Sequence, residues 1–329
     1  MKIAVRLPAK AKDVMNSFPF LHAIHDQLKP DYLHLIAEKE AFELLTLLPF
    51  KAYFHDFDTA NYKNFLDVHR FCVNKLDLSH AEVFFSLSDL PRDKFMSFCF
   101  RSVKRVGFDS DWSKVFLNDK HMYGVGLHQA ERYFSLLENF HKMDLGSFGK
   151  VRAKLQKPLI KDFEENPYMV VNLPFDSIIG DIPKDWIEFI DFFEKQRVFI
   201  TCSDLLGEKA HIVLKHFMDK LKMPFNIMPF VYRDLSEFSQ LVSTAKGFIG
   251  INGVHTSAAA YSGCKTLIVY ESGNPKEDAP LFFQGAVNIH DISDVSLHKK
   301  PEDFKRSEGS SRFDLGKLYD KAVSYFQLK

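Results

Sequence analysis

Residues 247–260, GFIGINGVHTSAAA, read as a short buried strand that passes through Asn252-Gly253 into a helix of small residues. Small side chains let the backbone come close to a ligand, and a helix start presents unpaired N–H groups. The segment therefore fits a seat for a diphosphate. It equally fits a tight strand-to-helix turn with close helix packing. Either way it is one strand–helix unit.

The same unit recurs on both sides. Short apolar runs at 2–7, 32–37, 52–57, 82–87 and 105–108 predict strands, separated by helical patterns at 13–28, 40–48, 62–76 and 92–102. An amphipathic stretch at 127–143 closes this half. A polar, lysine-rich stretch at 146–166 predicts a linker. Strands are then expected at 168–173, 197–202, 226–229, 247–251 and 266–270, alternating with helices, the last at 315–327. Such alternation predicts parallel sheets covered by helices. A length of 329 residues exceeds what one core usually supports, so two domains are expected. We place them at 1–155 and 156–311, with 312–329 a helix packing back on the first. Open α/β sheets bind ligands beyond the carboxyl ends of their strands. The loops after Leu7, Leu173, Cys202, Ile251 and Tyr270 are where chemistry is expected.

Composition narrows the function classes. Hydrophobic residues make up 46%, enough for real cores, and the 34 phenylalanines predict core filling or an exposed face for a lipid-linked partner. A formal net charge of +0 gives no reason to expect nucleic acid. Cys72, Cys99, Cys202 and Cys264 are widely spaced, with no CxxC pair, and read as reduced thiols. No apolar run approaches a membrane span, and the opening MKIAVR is too short for a signal peptide, so a cytoplasmic protein is expected.

The first loop, Pro8-Ala9-Lys10-Ala11-Lys12, contains no glycine and is not a phosphate-cradling loop. Asp13 follows it at a helix start. It reads as an N-cap, or as a general base kept ionised by Lys10 and Lys12. Lys184 opens a later helix and reads as a solvated lysine or a phosphate clamp. His255 reads first as a structural histidine. Arg92, Lys94, Arg101, Lys104 and Arg105 predict a basic face. Asp56-Phe57-Asp58 and Asp109-Ser110-Asp111 have the spacing of a metal–diphosphate motif, but acids at that spacing are common by chance. We assign no metal site.

With these residues in view, the chain resembles glycosyltransferase family 9, the ADP-heptose:lipopolysaccharide heptosyltransferases. Asp13-Val14 and Pro19 fall where the family's first loop and helix place them. SVKRVGFDSD, residues 102–111, resembles its "rriGyd" strand, and HQAERYFSLLENF, residues 128–140, its "HxverYlxLl" helix. Lys184-Asp185-Trp186 matches its Lys-x-Trp. Val269 to Pro275 is similar to its "lfGxTdP", followed by Ala279-Pro280.

The resemblance implies a GT-B fold, two Rossmann-like domains facing each other across a cleft. It implies metal-independent, inverting transfer of a heptose from ADP-heptose to a lipopolysaccharide core or other glycolipid acceptor, with peripheral contact at the cytoplasmic face of the inner membrane. The nucleotide-sugar enters as substrate, so no cofactor is expected. Asp13 matches the catalytic base. Lys184, Glu208 and the loop of Asn252, Gly253, Val254, His255 and Thr256 match the donor site. Lys10, Lys12 and Arg132 are assigned to the acceptor.

Three positions depart from the pattern. Lys12 replaces the glycine before the aspartate. Pro8-Ala9-Lys10-Ala11 replaces a Ser/Thr-rich loop. The donor motif Asp-Ser/Thr-Gly-x-x-His aligns either ungapped, placing Asn252 at the acid and Ser257 at the histidine, or shifted, pairing Gly253 and His255 at a spacing one residue short. These departures leave open a heptosyltransferase-like protein that binds a nucleotide or glycan without catalysis.

Overall fold

The computed structural model describes residues 1–110, 112–124, 126–140, 151, 153, 157–172, 184–203, 208–222, 224–270, 275–280, 287–291 and 315–328. The chain divides into two compact units: Met1–Lys154 with Lys276–Leu281, and Leu155–Pro275 with Phe282–Lys329. The segment Lys276–Leu281 groups with the first unit, so the expected second domain is interrupted there.

In the first unit the strands are β1 (Lys2–Arg6), β2 (Tyr32–Ala37), β3 (Tyr53–Asp56), β4 (Val83–Ser86), β5 (Lys104–Phe108) and β6 (Asp119–His121). Between them lie α1 (Ala11–Asn16), α2 (Phe18–Ala23), α3 (Phe42–Leu45), α4 (Phe65–Asn74), α5 (Pro91–Cys99) and α6 (Ser113–Phe116), with α7 (Gln129–Ser135) following β6. The sheet is wholly parallel, in the order β3-β2-β1-β4-β5-β6. Ile3, Ala4 and Val5 are fully buried, as a central strand covered on both faces requires. The strand order reverses between β1 and β4, which opens a crevice at their carboxyl ends.

The second unit repeats the plan. Its elements are β7 (Tyr168–Asn172), α8 (Lys184–Asp191), β8 (Arg197–Ser203), α9 (Glu208–Lys220), β9 (Ile227–Tyr232), α10 (Leu235–Val242), β10 (Gly247–Ile251), α11 (Val254–Tyr261), β11 (Thr266–Tyr270) and, after α12 (Pro275–Asp278), most of which groups with the first unit, β12 (Val287–Asp291) and α13 (Leu315–Phe326). The parallel order is β12-β11-β10-β7-β8-β9, with the reversal between β7 and β10.

Three expectations are corrected. The helix expected at 13–28 starts at Ala11 and breaks at Ser17. Pro19 has no N–H to offer the carbonyl one turn back, so a new helix starts there. The remainder, Ile24–Leu28, is a π-helical turn. The terminal helix, expected on the first unit, belongs to the second. Leu318, Ala322 and Phe326, on one helical face, enter the second unit's core with Trp186, Phe189 and Phe193. Gly247 in β10 makes room for the Phe326 ring, which a Cβ there would strike. The strands β6 and β12 were not foreseen; both lie at sheet edges, and β6 is only Asp119–His121, with no apolar residue to mark it.

Phenylalanine is divided between core and surface. Phe57, Phe71, Phe84 and Phe100 fill the first unit's core, with Phe57 and Phe71 edge-to-face at 4.9 Å. Phe65, Phe98 and Trp112 instead lie at the surface around Phe95 and Phe116.

Candidate functional site

At the carboxyl end of β1 the chain delivers Arg6 into a fully buried setting. Its guanidinium lies over the Phe57 ring at 4.7 Å, donates to Ile36 O (3.3 Å) and Glu38 Oε1 (3.2 Å), and faces Asp93 Oδ2 at 3.2 Å. This ion cluster ties β1 and β2 to α5 and braces the loop that leads into α1.

Asp13 sits in the first turn of α1, half-buried, and is not the cap. The N-cap is Lys10, and no side chain caps the helix. The N-cap reading is therefore replaced by a carboxylate placed where the helix dipole favours negative charge. Lys12 is helical and outside the positive-φ residues, so the residue standing for the family's glycine carries no left-handed strain. Lys10 is exposed and Lys12 half-buried.

Tyr133 lies within electrostatic reach of both Asp13 and Asp89, and neither Tyr133 nor Asp89 was singled out by the sequence. Burial pushes the Tyr133 phenol well above its ordinary range, and the negative charge of Asp13 adds to that push. Asp89, in the loop after β4, is raised by burial, against the opposing charges of Lys94 and Arg132. Lys94 is lowered by burial; its ammonium donates to Phe108 O (2.8 Å) and Ser110 Oγ (2.6 Å). The signal that would have found Asp89 is positional: it follows the strand at the reversal of order.

Arg132 is nearly buried on α7. It lies over the Tyr123 ring at 4.7 Å, donates to Tyr123 Oη (2.8 Å) and Gln129 Oε1 (3.1 Å), and faces Glu277 at 3.6 Å. Of the acceptor assignments, Arg132 thus joins the group around Asp13 and Asp89.

The expected basic face is largely spent on structure. Besides Lys94, Arg92 donates to Thr59 O and Tyr62 O, Arg105 to Phe116 O (2.7 Å), and Lys104 pairs with Asp119 at 3.0 Å. Arg101 remains exposed. The acid pairs are also turn-formers: Asp58 Oδ1 accepts from Ala60 N–H (2.8 Å), and Asp109 bonds Ser113. Asp111 lies outside the described residues.

In the second unit, β10 leads to Asn252 and Gly253 beside the end of β7, at the reversal of order. Gly253 N-caps α11, and the first intrahelical bond runs from Ser257 N–H to Gly253 O (3.1 Å), so the N–H groups of Val254, His255 and Thr256 lie in the opening turn. Thr256 shapes the loop: its hydroxyl donates to Ile251 O (2.6 Å) and accepts from Gly253 N–H (3.1 Å). His255 bonds Tyr232 and packs edge-on to Phe238 at 5.4 Å, which supports its structural reading.

Two features of this loop face outward from its own bonding. Asn252 Oδ1 is buried yet has no donor among the described residues. Gly253 is extended (φ 177°), a conformation any residue adopts, and a Cβ there would meet nothing nearer than Ile251 O at 3.8 Å. Among the described residues nothing demands a glycine at 253, and the space beside it is open. Lys184 and Glu208 open α8 and α9, but their side chains lie outside the described residues, as do the loops at 173–183 and 271–274.

Compared by sequence, the chain matches no family model and no curated protein. By structure it is similar to a glycosyl transferase of family 9 from Veillonella parvula, with a TM-score of 0.74 at 11% identity, covering 99% of this chain and 97% of that one. The chain has the fold of glycosyltransferase family 9. It is also similar to the Escherichia coli heptosyltransferase WaaC with ADP, TM-score 0.69 at 11% identity, covering 99% and 100% of the two chains. A putative UDP-N-acetylglucosamine 2-epimerase from Listeria monocytogenes follows at TM-score 0.55 and 10% identity, with 99% and 88% covered. The GT-B plan of two Rossmann-like units thus spans more than one chemistry, and the choice among them rests on the site.

Proposed function

We propose that this chain is an inverting glycosyltransferase that moves a heptose, or a related sugar, from ADP-heptose to a lipopolysaccharide core or other glycolipid acceptor. The observation that carries the reading is the β10–α11 loop. At one reversal of strand order it combines opening-turn N–H groups with, among the described residues, an open space at Gly253 and an acceptor, Asn252 Oδ1, that has no donor. The N–H groups suit a diphosphate, and the amide oxygen suits a donor hydroxyl.

In this reading Asp13 takes the acceptor hydroxyl's proton as its oxygen attacks the anomeric carbon. The bond from that carbon to the diphosphate oxygen breaks with inversion. Lys184 and the α11 N–H groups meet the charge that develops on the leaving diphosphate. Asp89 and Arg132 hold the acceptor; no cofactor or metal enters these steps. Glu208 serves the nucleoside ribose. No helix among the described residues is long and apolar enough to cross a membrane. The exposed rings of Phe65, Phe98 and Trp112, with Arg105 over Phe98 at 5.8 Å, offer the face for peripheral contact with the cytoplasmic side of the inner membrane.

The test is transfer from ADP-heptose to a core oligosaccharide by the purified protein, with the product anomer read by NMR. Asp13→Asn is expected to lose about 100-fold or more in turnover while still binding ADP. Nucleotide binding with neither transfer nor donor hydrolysis in the unaltered protein would replace this reading with the non-catalytic one.

A further inference from the structure

The amino ends of the first unit's strands hold a second group of polar side chains. The two-residue period of a strand puts Tyr32 and His34 on one face of β2, and Tyr53 and His55 on one face of β3. The parallel register pairs His34 with Tyr53, so all four share a face. Their rings contact in sequence: Tyr32–Tyr53 at 6.1 Å, His34–Tyr53 and His34–His55 each at 5.2 Å. Asp77 comes from the turn after α4. Lys2 holds that turn in place, its ammonium donating to Asp77 O and Ser79 O, each at 3.0 Å.

The ligating atoms converge. His34 Nδ1 lies 2.9 Å from His55 Nε2, and His55 Nε2 lies 3.5 Å from Asp77 Oδ2. All three atoms fall within 4.8 Å of one another. Two donors on one zinc-sized ion, with bonds of about 2.1 Å, sit no more than about 4.2 Å apart. The imidazoles are fixed by burial at 4% and 6% exposure, while the exposed Asp77 carboxylate has the freedom to close the remaining gap. Beside them lies a hollow of about 420 Å³, lined by Lys2, Tyr32, His34, Tyr53 and Asp77, which gives an ion a way in and room for a water ligand.

We propose that His34, His55 and Asp77 form a binding site for one divalent transition-metal ion of the zinc type, at the end of the sheet opposite the candidate transfer site. Two imidazoles and a carboxylate suit such an ion and leave a position for water. The ion ties the edge strand β3 to its neighbour and to the turn after α4, so its effect is read in stability and is independent of transfer.

The test uses full-length protein purified without a histidine tag, loaded with zinc and desalted. Elemental analysis is expected to find about one zinc per chain, and cobalt substitution a visible d–d absorption. His34→Gln and His55→Gln are expected to lose the metal and the rise in Tm that zinc brings. Asp77→Asn, at an exposed position, is expected to weaken retention while leaving the metal-free Tm unchanged, which separates ligation from folding. Exposed His25→Gln serves as the control that keeps the metal. No zinc retained by the unaltered protein would overturn the site, as would retention undiminished in both the Asp77 variant and the histidine variants.

Discussion

His128 Nε2 donates to Ala279 O across 2.6 Å, joining segments 151 residues apart in the sequence. The direction of the bond follows from the other ring nitrogen. His128 Nδ1 accepts from Ala130 N–H (3.1 Å) at the start of α7, so in the neutral ring the proton is on Nε2. Glu131 Oε2 completes the cap by accepting from His128 N–H (3.0 Å). One side chain thus caps α7 and straps the returning segment to the first unit.

The two roles separate by substitution. His128→Asn keeps an N-cap acceptor and loses the strap; His128→Ala loses both. Urea unfolding is expected to show a loss of about 1 kcal/mol for the first and about 2–3 kcal/mol for the second. Equal losses would show that the cap contributes nothing.

Arg6 is the buried charge on which the β1 end depends. Arg6→Met leaves Asp93, which is 1% exposed, with the more distant Arg92 at 3.7 Å in place of Arg6 at 3.2 Å, and is expected to cost about 3–5 kcal/mol in the same assay. A loss below about 1 kcal/mol would mean that Arg92 suffices to hold Asp93.

Thr256 closes the β10–α11 loop from within. Thr256→Val removes both of its bonds, and about 1–3 kcal/mol of stability is expected to go with them, whereas Thr256→Ser retains the hydroxyl and most of the stability. Thermal melts of the two variants side by side decide this; identical melts would remove the loop-closing role.

His22 gives the fold a pH dependence of known sign. Burial lowers it from 6.5 to about 4, and it packs edge-on to Phe50 at 5.2 Å. Above pH 6.5 both folded and unfolded chains hold it neutral, and stability is full. Between 6.5 and about 4 the unfolded chain takes up a proton that the folded one refuses, so stability falls as pH falls, by roughly 3 kcal/mol in all. The gap between pH 7 and pH 4.5 in urea midpoints is expected to narrow in His22→Leu; an unchanged gap would place the acid sensitivity elsewhere.

The terminal helix is part of the second unit's core. Phe326→Ala is expected to cost about 3–5 kcal/mol. A loss under 1 kcal/mol would show that α13 is peripheral to that core.

Much of the fold was legible because its central strands are apolar runs with clear punctuation; β2, β10 and β11 fall where the sequence placed them. What was missed lacks such a signal. The edge strand β6 needs no apolar face, and the return of Lys276–Leu281 to the first unit is a tertiary event with no local mark. The loops of both candidate sites were readable from strand ends, and so was Asp13. The His34–His55–Asp77 group was not, since only folding brings it together, and Asp89 had no mark beyond its place after β4. The basic face failed for a related reason: composition counts Lys94 and Arg105 as charges, whereas the fold spends them on carbonyl oxygens.

The most direct test of the central claim is calorimetric titration with ADP, UDP and GDP, without added metal, on the unaltered protein and on Gly253→Ala, which fills the open space without straining the loop. Saturable binding of ADP in preference to the others is predicted, weakened about tenfold or more in Gly253→Ala at unchanged Tm. Binding of none of the three, or binding that Gly253→Ala leaves untouched, would contradict a nucleotide seat at the β10–α11 loop.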